Sequence, residues 1–191
     1  GFADVTRALL GNGPLPSTEH IREIVVSDFN GDGRDDVFVA AHGYDALPYA
    51  GERNSLMLSN GDGTFTDASP SLPLQRDFSH STAVGDVNGD GLLDVFIGNV
   101  TGSSPPYFLM GRPGGRFGQI FSSLPEEVLQ VNVANRFHAS LLVDIDGDGH
   151  LDLVVGSGYA GETPSLQTVV YYNDGSGDFT KRPRTQFPFG P

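Results

Sequence analysis

Residues 144–152 read Asp144-Ile145-Asp146-Gly147-Asp148-Gly149-His150-Leu151-Asp152, with acidic side chains at alternate positions around two glycines. Two further copies of this nine-residue pattern occupy residues 28–36 and 86–94. The copies start at residues 28, 86 and 144, so that 58 residues separate each start from the next. A fixed period of this length is typical of a protein built from repeated structural units. The chain is therefore predicted to contain three repeats.

Each copy, called here an acidic loop, offers oxygen ligands to a metal ion. Calcium binds about six to eight oxygens at about 2.3–2.6 Å, and a tightly curled loop can supply them. The predicted ligands are the side chains at loop positions 1, 3, 5 and 9 and the backbone carbonyl at position 7. These residues form three predicted Ca²⁺ sites: Asp28, Asn30, Asp32, Arg34 and Asp36; Asp86, Asn88, Asp90, Leu92 and Asp94; Asp144, Asp146, Asp148, His150 and Asp152. Position 7 contributes only its carbonyl, which explains why its side chain differs among the loops.

Two other structures fit parts of the acidic loop pattern. An EF-hand needs a glutamate at position 12 on a helix, but the chain has Val39, Ile97 and Val155 there, each within an apolar run. Asn-Gly and Asp-Gly pairs also form turns without any metal. Three loops with the same ligand spacing favour calcium over turn formation alone. The glycine-rich tips at residues 60–63 and 174–177 carry too few acids and are predicted to be hairpin turns.

Short apolar runs on both sides of each acidic loop predict strands. Ile24-Val25-Val26 precedes the first loop and Val37-Phe38-Val39-Ala40 follows it. Because the runs after the loops do not alternate with polar residues, these strands are predicted to be covered on both faces. A glycine-rich hairpin then adds two strands to each repeat. The predicted fold is all-β, a β-propeller of four-stranded blades with about three blades in this chain.

The three blades are predicted to form a single repeat domain over residues 1–191. The repeats cover approximately residues 7–69, 70–121 and 122–187, with residues 1–6 as an extra outer strand. The extra strand is suggested because Phe2-Ala3-Asp4-Val5-Thr6 is similar to Phe65-Thr66-Asp67-Ala68-Ser69. The outer strand of the third blade is predicted to begin at Phe179. Open blade faces would expose apolar surface, so we expect self-association or membership of a longer propeller chain.

The acidic loops, each followed by Val or Leu, and the tip Asn60-Gly61-Asp62-Gly63-Thr64-Phe65 resemble a known family. This is the FG-GAP/VCBS calcium-binding repeat family, which includes the β-propellers of integrin α-subunits. The resemblance covers nearly the whole chain. It implies calcium on the loop between the first and second strands of a blade, and ligand binding often on the opposite face. Propellers of this family usually have about six to eight blades, so three acidic loops represent only part of that number.

Composition excludes several classes of protein. The net charge is −13 with only 11 Lys and Arg, so no nucleic acid partner is predicted. Eleven of the 24 acids lie in the acidic loops, and three bound divalent cations would offset six of those negative charges. No segment reaches the roughly 18 uninterrupted apolar residues of a membrane span, so no membrane insertion is predicted. The absence of cysteine rules out disulfides and thiolate metal sites.

Long polar loops between the second and third strands differ from repeat to repeat. Variable loops on a repeated scaffold usually carry binding specificity. The predicted ligand-binding residues are His42, Tyr44, Tyr49 and Arg53 in the first of these loops and Tyr159 in the third. Aromatic residues with polar neighbours suit a glycan or protein surface. Packing of the loops on themselves is the alternative explanation.

His80 and His138 each lie six residues before an acidic loop, and Arg22 holds the same place in the first repeat. Two histidines can act as acid and base in catalysis. Recurrence at one position of every repeat favours a hydrogen bond of the scaffold instead.

The sequence contains no nucleophile elbow, histidine-rich zinc motif or phosphate-binding loop, so the chain is not predicted to be an enzyme. The predicted function is a calcium-stabilised binding or adhesion module that recognises a glycan or protein ligand through its variable loops. The alternative is the propeller portion of a secreted polysaccharide-active enzyme. Because calcium sites of moderate affinity remain filled outside cells, the predicted location is extracellular or periplasmic.

Overall fold

The computed structural model describes residues 3–10, 17–100, 104–130, 137–157 and 168–187. Three four-stranded antiparallel sheets contain nearly all of the regular structure. Blade 1 contains β1 (Ile21–Ser27), β2 (Asp36–Ala41), β3 (Ser55–Ser59) and β4 (Phe65–Asp67). Blade 2 contains β5 (Ser79–Gly85), β6 (Asp94–Asn99), β7 (Tyr107–Arg112) and β8 (Arg116–Ile120). Blade 3 contains β9 (Phe137–Val143), β10 (Asp152–Ser157), β11 (Val169–Tyr171) and β12 (Thr185–Gln186).

Within each blade the strands follow one another in chain order, and every neighbouring pair is antiparallel. This confirms the predicted β-propeller architecture of four-stranded blades with three blades in the chain. Each sheet lies inside one of the three predicted repeats. Two short helices, α1 (Thr6–Leu10) and α2 (Glu126–Leu129), accompany the blades. Neither helix, within the described part of the chain, has the length and hydrophobicity of a transmembrane segment.

The hydrophobic core consists of two layers, one on each face of blade 2. Val95 and Ile97 of β6 pack with Phe38 and Leu56 of blade 1. Phe96, which lies between them in the sequence, belongs to the second layer between blades 2 and 3. Because side chains alternate between the faces of a strand, an uninterrupted apolar run supplies both layers. All six residues of β6 are buried, as predicted for a strand covered on both faces.

The outward faces of blades 1 and 3 are less covered. Ile24 and Val26 of β1 are 56% and 58% exposed, and Leu141 of β9 is 56% exposed. These apolar side chains occupy the places that a further blade would cover, since the corresponding residues of blade 2 are buried or half-buried.

Residues 3–6, the described part of the extra outer strand predicted for residues 1–6, are not in a strand. Asp4 instead accepts hydrogen bonds from the Thr6 N–H (2.9 Å) and the Thr6 hydroxyl (2.6 Å) at the start of α1. Asp67 accepts in the same way from the Ser69 N–H (2.9 Å), where a 3₁₀ turn begins. The sequence similarity between the two segments therefore reflects a shared aspartate turn, in which the carboxylate accepts the N–H two residues later and a helical turn follows.

The outer strand of blade 3 does not begin at Phe179 as predicted. Phe179 is 1% exposed and stacks on Phe108 of blade 2, with ring centroids 5.2 Å apart. Its N–H donates to the Ser123 carbonyl (2.9 Å). The aromatic ring is thus used to join blades 2 and 3, and the strand forms later, as β12.

Candidate functional site

The three acidic loops connect the first and second strands of each blade and share one set of internal hydrogen bonds. In the first loop, one carboxylate oxygen of Asp28 accepts the Gly31 N–H (2.8 Å) and the other accepts the Gly33 N–H (2.7 Å). Equivalent bonds join Asp86 to Gly89 and Gly91, and Asp144 to Gly147 and Gly149. Each loop therefore curls around the side chain at position 1.

Both glycines of the first acidic loop have the left-handed backbone conformation, with φ of 77° at Gly31 and 83° at Gly33. Residues with a Cβ atom avoid this region. The glycine spacing is thus required by the curl of the loop, as the sequence predicts, and the other two loops repeat it.

The aspartate at loop position 9 is the buried anchor of each loop. Asp94 is fully buried and accepts the Val87 N–H (3.0 Å) from its own loop and the Gly111 N–H (2.8 Å) from β7. Asp36 and Asp152 are equally buried and make the corresponding pairs of bonds. Position 9 thus ties the acidic loop to the third strand of the same blade.

Burial and hydrogen bonding have opposite effects on the pKa of the carboxyl groups in a loop. Desolvation, with smaller contributions from Asp90 and Asp86, raises the pKa of Asp94 to about 6. Desolvation likewise raises the pKa of Asp36. At Asp28 desolvation acts in the same direction, but the backbone N–H donors of the loop outweigh it and lower the pKa. A divalent cation beside the buried carboxylates would remove the cost of their charge.

The loops suit a hard cation that prefers oxygen ligands. Oxygen atoms of Asp144, Asp146 and Asp152 all lie within 4.8 Å of one another. Calcium would be held by this set together with the further oxygens of positions 5 and 7. The other two loops have the same backbone bonds at equivalent positions. The residues present therefore fit calcium, while the carbonyl role of position 7 stays a prediction.

Arginine side chains partly neutralise the negative charge of some predicted calcium ligands. Arg182 contacts Asp146 (2.5 Å) and Asp148 (2.8 Å) of the third loop through its two terminal nitrogens. In the first loop Arg34 contacts Asp32 (2.6 Å). The third loop has four predicted carboxylate ligands and each of the others has three, but its local charge is partly balanced by Arg182, which lies more than thirty positions after both aspartates that it contacts.

A second assembly lies at the opposite end of the strands and is called here the ring cluster. His42 packs against Phe78 with centroids 4.6 Å apart, and His80 lies 5.2 Å from His42. Four of the five histidines of the chain belong to this cluster. Its members are His20, His42, Tyr44, Tyr49, Phe78, His80 and His138.

The structure brings three of the predicted ligand-binding residues together in the ring cluster. Tyr44 is 67% exposed and stacks near His20, while Tyr49 packs edge-on against Phe78. His42 is only 5% exposed and contacts His20 and Phe78, the rings against which Tyr44 and Tyr49 lie, rather than forming surface. Desolvation, followed by the charge of Arg22, lowers its pKa.

The two remaining predicted ligand-binding residues are not part of this cluster. Arg53 is half-buried and its guanidinium donates to the Ser69 carbonyl (3.4 Å). Tyr159 lies outside the described residues. The ligand-binding role of all five residues stays a prediction.

The recurring residues of the inner strands also meet. The Nδ1 atoms of His80 and His138 lie 3.1 Å apart, and a terminal nitrogen of Arg22 lies 3.3 Å from His80 Nδ1. The predicted scaffold hydrogen bond is therefore present, and it runs between blades rather than within one. The equal offset of these residues from their loops was the sequence signal for this contact.

Sequence reasoning missed Asn173, which is fully buried at the junction of blades 2 and 3. Its side-chain amide donates to the carbonyls of Val87 (2.7 Å) and Leu151 (3.1 Å). Its side-chain oxygen accepts the N–H groups of Gly175 and Gly177. It stands directly before a glycine-rich tip, which was the only signal available.

The fold and the acidic loops define a repeat protein of the β-propeller class. The sequence model of a family described as FG-GAP-like repeat matches residues 28–97 and 144–191. The match covers more than half of the chain, and the chain belongs to this family.

Two curated relatives are similar to part of the chain. Integrin alpha-8 of Gallus gallus is 27% identical over 135 residues, which is 62% of this chain and 12% of that protein. Cartilage acidic protein 1 of Homo sapiens is 34% identical over 106 residues, which is 52% of this chain and 15% of that protein. The matched segment is thus a small part of either relative.

Proposed function

We propose that this chain is a calcium-stabilised extracellular or periplasmic binding module that recognises a glycan or protein ligand. The ring cluster is the observation that carries the proposal. It exposes Tyr44 and Tyr49 beside other rings of the cluster, of which His42 and Phe78 are buried, at the end of the blades opposite the acidic loops. Tyrosine suits such a surface because it offers a rigid apolar ring and a hydroxyl group.

Family membership supports the same proposal. The likeness to an integrin α-chain favours a protein ligand and a location outside the cytoplasm, where calcium would fill the acidic loops. In this proposal the loops are scaffold elements: calcium rigidifies the blade ends, and the variable loops at the other end contact the ligand.

We favour binding over catalysis because the recurring His80 and His138 bond to each other at 3.1 Å. Two histidines bonded to each other in this way join blades 2 and 3, and this favours a scaffold role over catalysis. The alternative, a propeller portion of a secreted polysaccharide-active enzyme, predicts turnover of whatever the chain binds. Incubation of the purified chain with each bound glycan, followed by chromatography of the products, separates the two functions.

Glycan arrays and cell-surface binding, each with and without chelator, test the proposed function. We expect binding that falls in chelator and in the Y44A variant. F187A is the matched control, because Phe187 is an exposed aromatic residue outside the ring cluster. Equal loss of binding in Y44A and F187A, or full binding by both, would contradict the assignment of the ligand to the ring cluster.

The exposed residues Ile24, Val26 and Leu141 motivate the further prediction of self-association or of a longer propeller chain. In blade 2 the corresponding faces are covered by the neighbouring blades. Light scattering at micromolar concentration tests association between copies, and a stable monomer with no tendency to associate speaks against it.

A further inference from the structure

The first strands of the three blades line an open polar cavity of about 360 Å³ at the same end as the ring cluster. Its walls come from β1, β5 and β9 and include Arg22, Glu23, His80, Ser81, His138 and Ser140. Each strand contributes its second residue, which is Arg22, His80 or His138. The repeat therefore places three nitrogen-bearing side chains at one level of the cavity.

The hydrogen bonds between these side chains fix their donor and acceptor roles. A guanidinium only donates, so His80 Nδ1 accepts from Arg22 at 3.3 Å. His138 Nδ1 lies 3.1 Å from the same atom and must then donate its proton. Because His138 Nδ1 already carries a proton in this arrangement, an added proton goes to His138 Nε2 and makes the pair cationic while the bond between the two Nδ1 atoms remains.

The charge inside the cavity depends on protonation. Arg22 and Glu23 both come from β1, and their charges cancel while the histidines are neutral. The Glu23 carboxylate also accepts the Thr82 N–H (2.7 Å) from blade 2, which holds it at the wall. His42, the titratable residue packed against His80, lies behind the pair. Protonation of His80 or His138 therefore adds one positive charge to this wall of the cavity.

One polar group in the cavity wall lacks a partner. Ser140 Oγ is buried and has no hydrogen-bond partner among the described residues. A buried hydroxyl without a partner carries a cost that a ligand oxygen can remove. A bound metal ion is disfavoured here, because the Arg22 guanidinium would repel it from His80. An anionic oxygen group suits Arg22, the imidazolium and the hydroxyl together.

We propose that this cavity binds a carboxylate group of the ligand and does so more tightly when the His80–His138 pair is protonated. The inference rests on the proposed function, which assigns the ligand to this end of the blades. The carboxylate can belong to an acidic sugar or to an acidic amino acid, and the two sources share the same contacts. The Arg22 guanidinium and one imidazolium donate hydrogen bonds to the oxygens of the carboxylate, and the Ser140 hydroxyl donates a further one.

Titration calorimetry with small acids tests the proposal without the macromolecular ligand. The acidic probes are D-glucuronate and N-acetylaspartate, and D-glucose is the uncharged control for D-glucuronate. All are measured in calcium at about pH 5.5 and about pH 7.5, which lie on either side of the ordinary pKa of imidazole. We expect at least one acid, but not glucose, to bind about tenfold more tightly at the lower pH, since a charge-assisted hydrogen bond is gained. The tighter acid identifies the source of the carboxylate.

Variants assign the binding to the cavity. R22Q and H138Q are expected to weaken binding about tenfold at the lower pH, and R22K to weaken it less because the charge remains. R116Q is the control for loss of one exposed arginine on β8. Melting temperatures in calcium confirm that each variant is folded.

Absence of binding by either acid overturns the carboxylate proposal while leaving ligand binding by the ring cluster untouched. Binding that R22Q and H138Q leave unchanged, or that does not depend on pH, overturns it as well. Loss of glycan or protein binding in Y44A together with unchanged acid binding is compatible with both proposals. If binding fails only in the glycan-array and cell-surface assays, the proposed function is refuted and the carboxylate proposal is not.

Discussion

Replacement of Asp94 by asparagine separates a calcium ligand from a simple hydrogen-bond anchor. Asp94 is fully buried at the end of the second acidic loop, and its two oxygens accept the N–H groups of Val87 and Gly111. Asparagine has nearly the same shape but carries no charge and has one acceptor oxygen. The change therefore removes a buried negative charge and leaves one backbone N–H without its partner.

Without calcium, removal of the buried charge and loss of the N–H partner change the free energy of unfolding in opposite directions. The pKa of Asp94 is raised from 3.8 to about 6, so the carboxyl stabilises the fold when protonated, and this contribution is lost as the pH rises through 6. At about pH 7.5 the metal-free fold then carries a cost of about 3 kcal/mol for the buried charge. Asparagine removes that cost but loses about 1–3 kcal/mol through the unpaired N–H. The remaining difference of about 0–2 kcal/mol should leave the melting temperature of D94N in chelator between equal to that of the unmodified chain and about 8 °C above it.

Calcium is expected to raise the melting temperature of the unmodified chain more than that of the D94N variant. One filled site contributes about 2.7 kcal/mol when the ion is at about 100 times its dissociation constant. For a chain of this length that corresponds to about 5–10 °C in melting temperature. The D94N variant should lose this gain at the second loop, because its neutral amide cannot replace a charged ligand.

Differential scanning calorimetry in calcium and in chelator measures both differences. D77N is the matched control: Asp77 is also buried and accepts from Tyr107 and from Gln75 (3.0 Å), but it lies outside the acidic loops. Its effect should be the same in both solutions. An equal effect of D94N in both solutions would refute calcium binding at the second loop.

Three further substitutions test other contacts. R182Q removes the cation from Asp146 and Asp148, so calcium should bind the third loop more tightly by titration calorimetry, whereas unchanged affinity would mean that the arginine does not compete. N173A leaves the carbonyls and N–H groups around residue 173 unpaired and should destabilise the fold by about 3 kcal/mol in urea unfolding, with less than about 1 kcal/mol contradicting its bridging role. Burial lowers the pKa of His42 below 6.5, so its stabilising contribution is present above that pH and lost as the pH falls below it. H42Q should therefore show a shallower fall in melting temperature than the unmodified chain between about pH 7 and about pH 5, and parallel curves would exclude His42 as the cause.

The acidic loops could be predicted in detail because their structure is local. The bonds from Asp28 to Gly31 and Gly33 span at most five residues, and the glycines take the backbone conformation that their spacing requires. The order of the strands within a blade follows from the same short distances along the chain. Repetition at an interval of 58 residues then determines that the blades are alike.

The segment at Asp4 shows where local pattern is not enough. The same short sequence is compatible with a strand and with a capped helix, and the bonds from Asp4 to Thr6 favour the helix at the start of the chain. Around Asp67 a strand precedes the cap, because β4 pairs with β3. The segment at Asp4 lies against β4 as the helix α1 and does not pair with it as a strand.

The sequence by itself determined the three acidic loops, the four strands per repeat and the family. Only the tertiary structure decided that Arg182 lies against the third loop, that Asp94 is anchored by Gly111, and that four histidines share one end of the blades. These contacts join residues far apart in the chain or in different blades. Their partners are set by how the blades pack on one another, and no short stretch of sequence contains that information.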